Sequence, residues 1–277
     1  MIKIVTDSSS DITRDILEDL GITVVPLFAR FGDEIFRDRV DINEEQFYEK
    51  LTTSKVHPVT IQPNPKDFVD VYEKLAKEAD VIVSIHISGK LSGTLNSAFQ
   101  AKDIVSGKTN IELVDSLTTT TGLALVVMHA AKAAKAGGDL QQVLSAAKEA
   151  INHNSSLCLL DTLKYLEKGG RIGKAKALLG SILNVKPIIS IKDGEVIPFA
   201  QARNRAKGLD MLYEFVSKFK DIEDMAVAYT TTQEDAENLA QRIQPLFKKG
   251  KVKIFRMGIT LGVHTGPGSM VLSVFGK

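Results

Sequence analysis

The order of this sequence predicts two domains, an α/β layer followed by an α+β unit. Three observations carry that expectation. Over roughly the first 150 residues, short β-branched runs alternate with amphipathic helical stretches, the pattern of parallel strands joined by crossover helices. From Ser156 onward hairpin signals mix with helices, Asp193-Gly194 being the clearest, which points to a partly antiparallel sheet. A chain of 277 residues also suffices for two modest cores. The expected division gives an N-terminal α/β domain with a mainly parallel sheet at 1–155 and a C-terminal α+β domain with a mixed sheet at 156–277.

In chain order, Ile2 to Thr6 reads as a strand ending in Asp7-Ser8-Ser9-Ser10-Asp11, either a capping segment or the rim of a cleft. Ile12, Ile16, Leu17 and Leu20 mark one face of a helix that Gly21 closes, and Ile22 to Phe28 is the next strand. Gly32 to Asp41 is hairpin-like. Asn43 caps a helix with Phe47, Tyr48 and Leu51 on its buried side. In Val59-Thr60-Ile61-Gln62-Pro63-Asn64-Pro65 the two prolines argue for a stiff, irregular loop. Asn64 and Pro65 then start the helix of Phe68, Val69, Tyr72 and Leu75. Val81 to Ile87 is a buried strand. It feeds a helix with Leu95, Ala98, Phe99 and Ile104 on one face and Ser92 as its N-cap. A strand at Ile111 to Asp115, an apolar helix from Thr118 to Ala136 and a helix from Asp139 to Asn152 complete the first domain.

The second domain opens with a strand at Leu157 to Leu160 and a helix near Thr162. The loop Lys168 to Gly173 and a helix through Ala177, Leu178, Leu179, Ile182 and Leu183 follow. After the Asp193-Gly194 hairpin come a helix at Arg205 to Phe219, a strand at Ala226 to Thr230 and a helix at Gln233 to Phe247. A strand at Val252 to Met257, a glycine-rich turn from Gly258 to Gly268 and a strand at Met270 to Phe275 end the chain.

Composition narrows the function classes. Thirty-five basic against 34 acidic residues leave a net charge of +1, so nucleic acid has no electrostatic footing. The single cysteine, Cys158, excludes an internal disulfide, fits a reducing compartment and reads as a small core residue. The opening M-I-K-I-V-T-D is charged too early for a signal peptide, and no apolar run approaches the ~20 residues of a membrane helix. A cytoplasmic protein with no integral membrane segment is the expectation.

Ser92 and the free amides of the following helix turn point at one volume, which suits an anion as well as it suits plain capping. Several chemistries fail on spacing. Gly89-Lys90 lacks the upstream glycine and the neighbouring hydroxyl of a phosphate loop, and no G-x-G-x-x-G follows the first strand. Lys90 occupies the place where an esterase elbow needs glycine before Ser92. His57, His86, His129, His153 and His264 show no metal-ligand spacing, so neither metal nor cofactor is expected. The chain offers donors to an anion without a clear nucleophile and base.

Five motifs in order, D-S-S-S-D, T-I-Q-P, S-G-K-L-S-G-T-L-N-S-A, K-G-G-R-I-G and G-V-H-T-G-P-G, resemble the bacterial DegV family of fatty-acid-binding proteins over the whole chain. The resemblance implies a lipid pocket between the two domains, holding one long-chain fatty acid of the hexadecanoate type. It implies carboxylate ligation by Thr60 and Ser92, with His264 close to the head group. It further implies a non-enzymatic carrier that presents its acid to the separate catalytic subunit of a fatty acid kinase, which forms the acyl-phosphate. Ile61 stands where family members often have serine, which removes a neighbouring hydroxyl from that loop. Arg171 and Arg203 are candidates for contact with a phosphate or with the partner. The competing expectation is an enzyme acting on a carboxylate or phosphate substrate with His264 as acid-base. A regulatory DNA-binding role lacks a basic surface.

Overall fold

The computed structural model describes residues 1–107, 109–179 and 185–277. β1 (Ile2–Asp7) passes through a 3₁₀ turn at Ser8–Ser10 into α1 (Arg14–Leu20), which ends where Gly21 turns left-handed at φ 64°. β2 (Ile22–Val25) returns parallel to β1. The strand expected to continue to Phe28 stops here, because Pro26 has no amide to give a ladder. β3 (Phe28–Phe31) leaves the sheet and forms a hairpin with β4 (Glu34–Arg37).

α2 (Glu44–Thr53) starts on a capping box between Asn43 and Gln46 and buries Phe47, Tyr48 and Leu51, as its periodicity predicts. β5 (Val59–Ile61) pairs antiparallel with β3. The T-I-Q-P segment therefore begins as strand, not irregular loop, since its prolines fall just beyond the paired residues. α3 (Pro65–Leu75) follows with Asn64 as cap. β6 (Val81–His86), α4 (Thr94–Ile104) and β7 (Asn110–Asp115) complete a parallel sheet in the order β2-β1-β6-β7. On α4 the small Ala98 and Ala101 face the core beside Leu95. Phe99 and Ile104, expected on that side, are 50% and 63% exposed.

α5 (Thr120–Lys135) and α6 (Leu140–Asn152) lead to β8 (Asn154–Leu159) and the short α7 (Lys164–Lys168). Gly173–Leu178 forms a 3₁₀ turn where an α-helix through Leu183 was expected, and residues 180–184 lie outside the described residues. β9 (Lys186–Lys192) and β10 (Glu195–Ala202) make the hairpin at Asp193-Gly194. α8 (Arg205–Val216), β11 (Ile222–Tyr229), α9 (Gln233–Ile243) and β12 (Lys253–Arg256) follow. The glycine-rich turn of the sequence is in fact helical, α10 (Ile259–Thr265), and β13 (Met270–Gly276) closes the chain. The second large sheet runs β10-β9-β8-β13-β11-β12, and only β11 and β12 pair in parallel.

α5 accounts for its own apolar sequence. Its residues from Thr120 to Met128 are all buried, because the helix packs on β1 of one sheet and on β11 and β13 of the other. Ile4, Val83, Ala226 and Phe275 belong to the same apolar cluster, so one core joins the two sheets. Among the described residues no helix is long and apolar enough to cross a membrane.

Candidate functional site

Between the two sheets lies a cavity of about 950 Å³, its mouth included. Leu27, Ile87 and Leu91 from the first half of the chain face Leu157, Ile189 and Val271 from the second. Of α5 only the start, Thr119 and Thr120, reaches the wall. The rest of this helix is core, and the second sheet supplies much of the lining.

On one side of this cavity β5, the start of α4, α10 and the K-G-G-R-I-G loop converge. Thr60, at the centre of β5, places its Oγ1 2.9 Å from Nε2 of His264 on α10. Gln62, two residues on, reaches toward the start of α4 and donates from Nε2 to Ser97 Oγ at 3.3 Å. Its side chain lies so close over Gly93 that a Cβ there would sit 2.2 Å from its Oε1. Gly93, not Ser92, occupies the cap, so α4 begins one position later than expected. Ser92 remains at the cavity wall; its Oγ accepts from Thr94 N at 3.3 Å and shares a hydrogen bond with Thr94 Oγ1 at 2.9 Å.

The K-G-G-R-I-G loop completes the corner. A Cβ on Gly169 would lie 2.1 Å from His264 Nδ1, so this glycine leaves the room the imidazole uses. Arg171 lines the cavity too, donating from Nε to Leu91 O at 3.3 Å and from Nη1 to Gly169 O at 2.8 Å. Arg203 stands apart, exposed between β10 and α8 and not part of the cavity wall. Burial, reinforced by the charges of Arg171 and His57, pushes His264 down to about 4, so its ring is neutral in ordinary conditions. A neutral ring that donates from Nε2 to Thr60 leaves the Thr60 hydroxyl free to donate into the cavity. His264 Nδ1 is buried with no hydrogen-bond partner.

Cys158 is part of the wall, and burial pushes its thiol up to about 12, which makes it a poor nucleophile. Gln62 was missed as a site residue by sequence reasoning, although a glycine directly after Ser92 was a usable signal of close approach. The D-S-S-S-D loop is a capping segment, with Asp7 as N-cap of the 3₁₀ turn, and none of its residues lines the cavity. Its residues are all buried; Asp7 accepts from Ser9 N, while Asp11 accepts from Gly258 N at the start of α10.

Fold and cavity define the class: an α/β protein of two large sheets and a small third one, β4-β3-β5, with an apolar cavity and one polar corner at the junction. The chain belongs to the DegV family, whose model, described as "Uncharacterised protein, DegV family", matches residues 1–277. A DegV domain-containing protein of Halalkalibacterium halodurans is 35% identical over 279 residues, covering 98% of this chain and 97% of that one. Among solved structures, a DegV family protein from Thermus thermophilus described for fatty acid binding superposes with a TM-score of 0.92 at 31% identity, covering 100% of this chain and 99% of the other. A stearic acid-binding protein from Eubacterium ventriosum superposes with a TM-score of 0.89 at 28% identity, again covering 100% and 99%.

Proposed function

We propose that this chain is a cytoplasmic carrier of one long-chain fatty acid, held between lobes 1–155 and 156–277. In this reading Thr60 and Ser92 donate to the carboxylate, and His264 fixes the Thr60 hydroxyl in its donating orientation. The convergence of these three side chains on one corner of an apolar cavity carries the reading. The fatty acids described for the Thermus and Eubacterium proteins support the ligand class.

The physics agrees. A carboxylate leaving water needs several donors, because an unpaired one costs several kcal/mol. The acyl chain provides the affinity: at about 0.8 kcal/mol per methylene, some fourteen methylenes set a ceiling near ~11 kcal/mol before association costs. The head group sets orientation. In this reading the bound carboxylate is itself the nucleophile toward ATP, a separate fatty acid kinase subunit supplies the nucleotide, and Arg171 and Arg203 are the candidates for contact with the phosphate or with that partner.

Native mass spectrometry of the protein purified from bacteria tests the reading. One acyl mass per chain is expected, and a chain that stays at its apo mass with lipid present overturns it.

A further inference from the structure

Behind the cavity wall lies a cluster of buried acids that the head-group reading does not use. Asp11 Oδ1 accepts from Gly258 N at 2.8 Å, and Asp38 Oδ1 accepts from Ile259 N at 3.2 Å. Asp38 Oδ2 accepts from Thr260 Oγ1 at 3.1 Å and from Ser8 Oγ at 3.0 Å. The first turn of α10, the helix that carries His264, is thus seated on two carboxylates. Gly258 must be glycine there, because a Cβ would come within 2.9 Å of Asp38 Oδ1. Asp11 also holds the opposite wall, accepting from Thr120 Oγ1 at 2.7 Å at the start of α5.

The backbone around this pair is strained. Five described non-glycine residues have positive φ, and three of them, Asp11, Arg39 and Thr120, meet here. A β-branched residue at φ 48° is a true outlier, and such strain persists only where surrounding bonds enforce it. Arg39 enforces it further, pairing with Glu44 at 2.7 Å and Asp11 at 3.5 Å and donating to Arg256 O at 2.7 Å.

We propose that Asp11 and Asp38 are positioning residues for the head-group corner: they set the place of His264 through the first turn of α10, and they couple that placement to the cavity wall through Thr120 and Thr260. The inference rests on the fatty acid reading for its ligand and on geometry alone for the seat of α10.

Charge gives the seat a pH signature. Asp11, Asp38, Arg39, Glu44, Tyr48 and Arg256 face one another across the loop after β1, the loop after β4, α2 and the end of β12. Burial, opposed mainly by Arg39, raises Asp11 to about 7 and also raises Asp38. Burial holds the Tyr48 hydroxyl well above its usual range, so that group stays neutral. Asp11 itself is fully buried, but Thr120, which donates to it at 2.7 Å, lies on the cavity wall; an acyl chain packed there that draws this hydroxyl away costs the carboxylate one of the donors holding its pKa down and favours its protonated form. By linkage, ligand affinity falls as pH rises through neutrality. His264 titrates well below this window, and so does hexadecanoate as long as it is kept monomeric, since only packed carboxylates in its aggregates titrate near neutrality.

Two measurements test the proposal. The first needs no ligand: follow the His264 ring by NMR of histidine-labelled protein, assigned by loss of its signal in His264→Gln. Asp38→Ala should move its titration up toward the ordinary ~6.5 while Asp38→Asn leaves it low. If Asp38→Ala does not fold, Thr260→Val tests the same link. An unchanged His264 in the loosened variant overturns the proposal. The second measures hexadecanoate affinity from pH 6 to 8.5. The wild type should weaken about fivefold across this range and Asp11→Asn should stay flat. A flat wild type, or a slope that survives in Asp11→Asn, overturns the coupling. A wild type that binds no fatty acid at any pH removes the fatty acid reading, and the His264 measurement still decides the seat.

Discussion

His86 and His264 are both buried histidines bonded to a hydroxyl, yet their surroundings differ completely. His86 lies in a closed relay. Tyr72 donates to Ser84 Oγ at 2.9 Å, Ser84 meets His86 Nε2 at 2.7 Å, and His86 Nδ1 meets Asp7 Oδ2 at 3.0 Å. By residue type this is the Asp-His-Ser arrangement of a hydrolase. It is not part of the cavity wall, its members are fully buried, and both ring nitrogens are already paired. His264 has one partner, an unpaired Nδ1 and a place on a cavity wall. The lesson is that unfinished hydrogen bonding beside open space marks a binding group, while a complete network marks structure.

The largest effect that sharpens this contrast is on stability. His86→Ala leaves the Asp7 carboxylate short of a buried partner and removes a ring packed edge-on against Phe68 at 5.1 Å. Chemical denaturation should register a loss of about 3 kcal/mol. His264→Ala should lose much less, since one of its nitrogens has no bond to forfeit. Equal losses would break the contrast.

Next comes a change that reaches only the binding histidine. Gly169 has φ −77°, which alanine adopts freely, so Gly169→Ala strains no backbone. Its methyl group displaces the His264 ring, and with it the orientation of the Thr60 hydroxyl. Fatty acid affinity should fall about tenfold, a cost of ~1.4 kcal/mol. Calorimetric titration beside a melting curve separates this from unfolding; unchanged affinity would mean the ring has no part in head-group binding.

Much of the scaffold was legible because local chemistry decided it. Asn43, Asn64 and Asp139 each form the capping box that their sequence spacing allows. What sequence concealed was set by distant contact. The stretch from Gly258 to Gly268 reads as a turn because glycines suggest freedom, but here they permit closeness. A Cβ on Gly262 would meet the Phe47 ring at 2.5 Å, so α10 needs that glycine to pack on α2. Gln62 escaped notice for the same reason, since its partner Gly93 is remote in sequence. Thr60, Ser92 and His264 are candidates by motif and all three line the cavity, while Thr60's place in a strand depends on pairing with β3.

The finest discrimination lies within the polar corner. Thr60→Ala should weaken fatty acid binding by about 1–2 kcal/mol, because it removes one bond to a charged group, and Thr60→Ser should restore most of it. Ser92→Ala should cost less, ~1 kcal/mol or below. The Thr94 hydroxyl already lies 2.9 Å from Ser92 Oγ and, freed by the substitution, becomes an alternative donor from the same turn. In Ser92→Ala/Thr94→Val that substitute is gone, so the double change should cost more than the sum of the two single ones. Strict additivity in a calorimetric cycle would show that the two hydroxyls do not stand in for each other, and that Ser92 acts on the carboxylate alone.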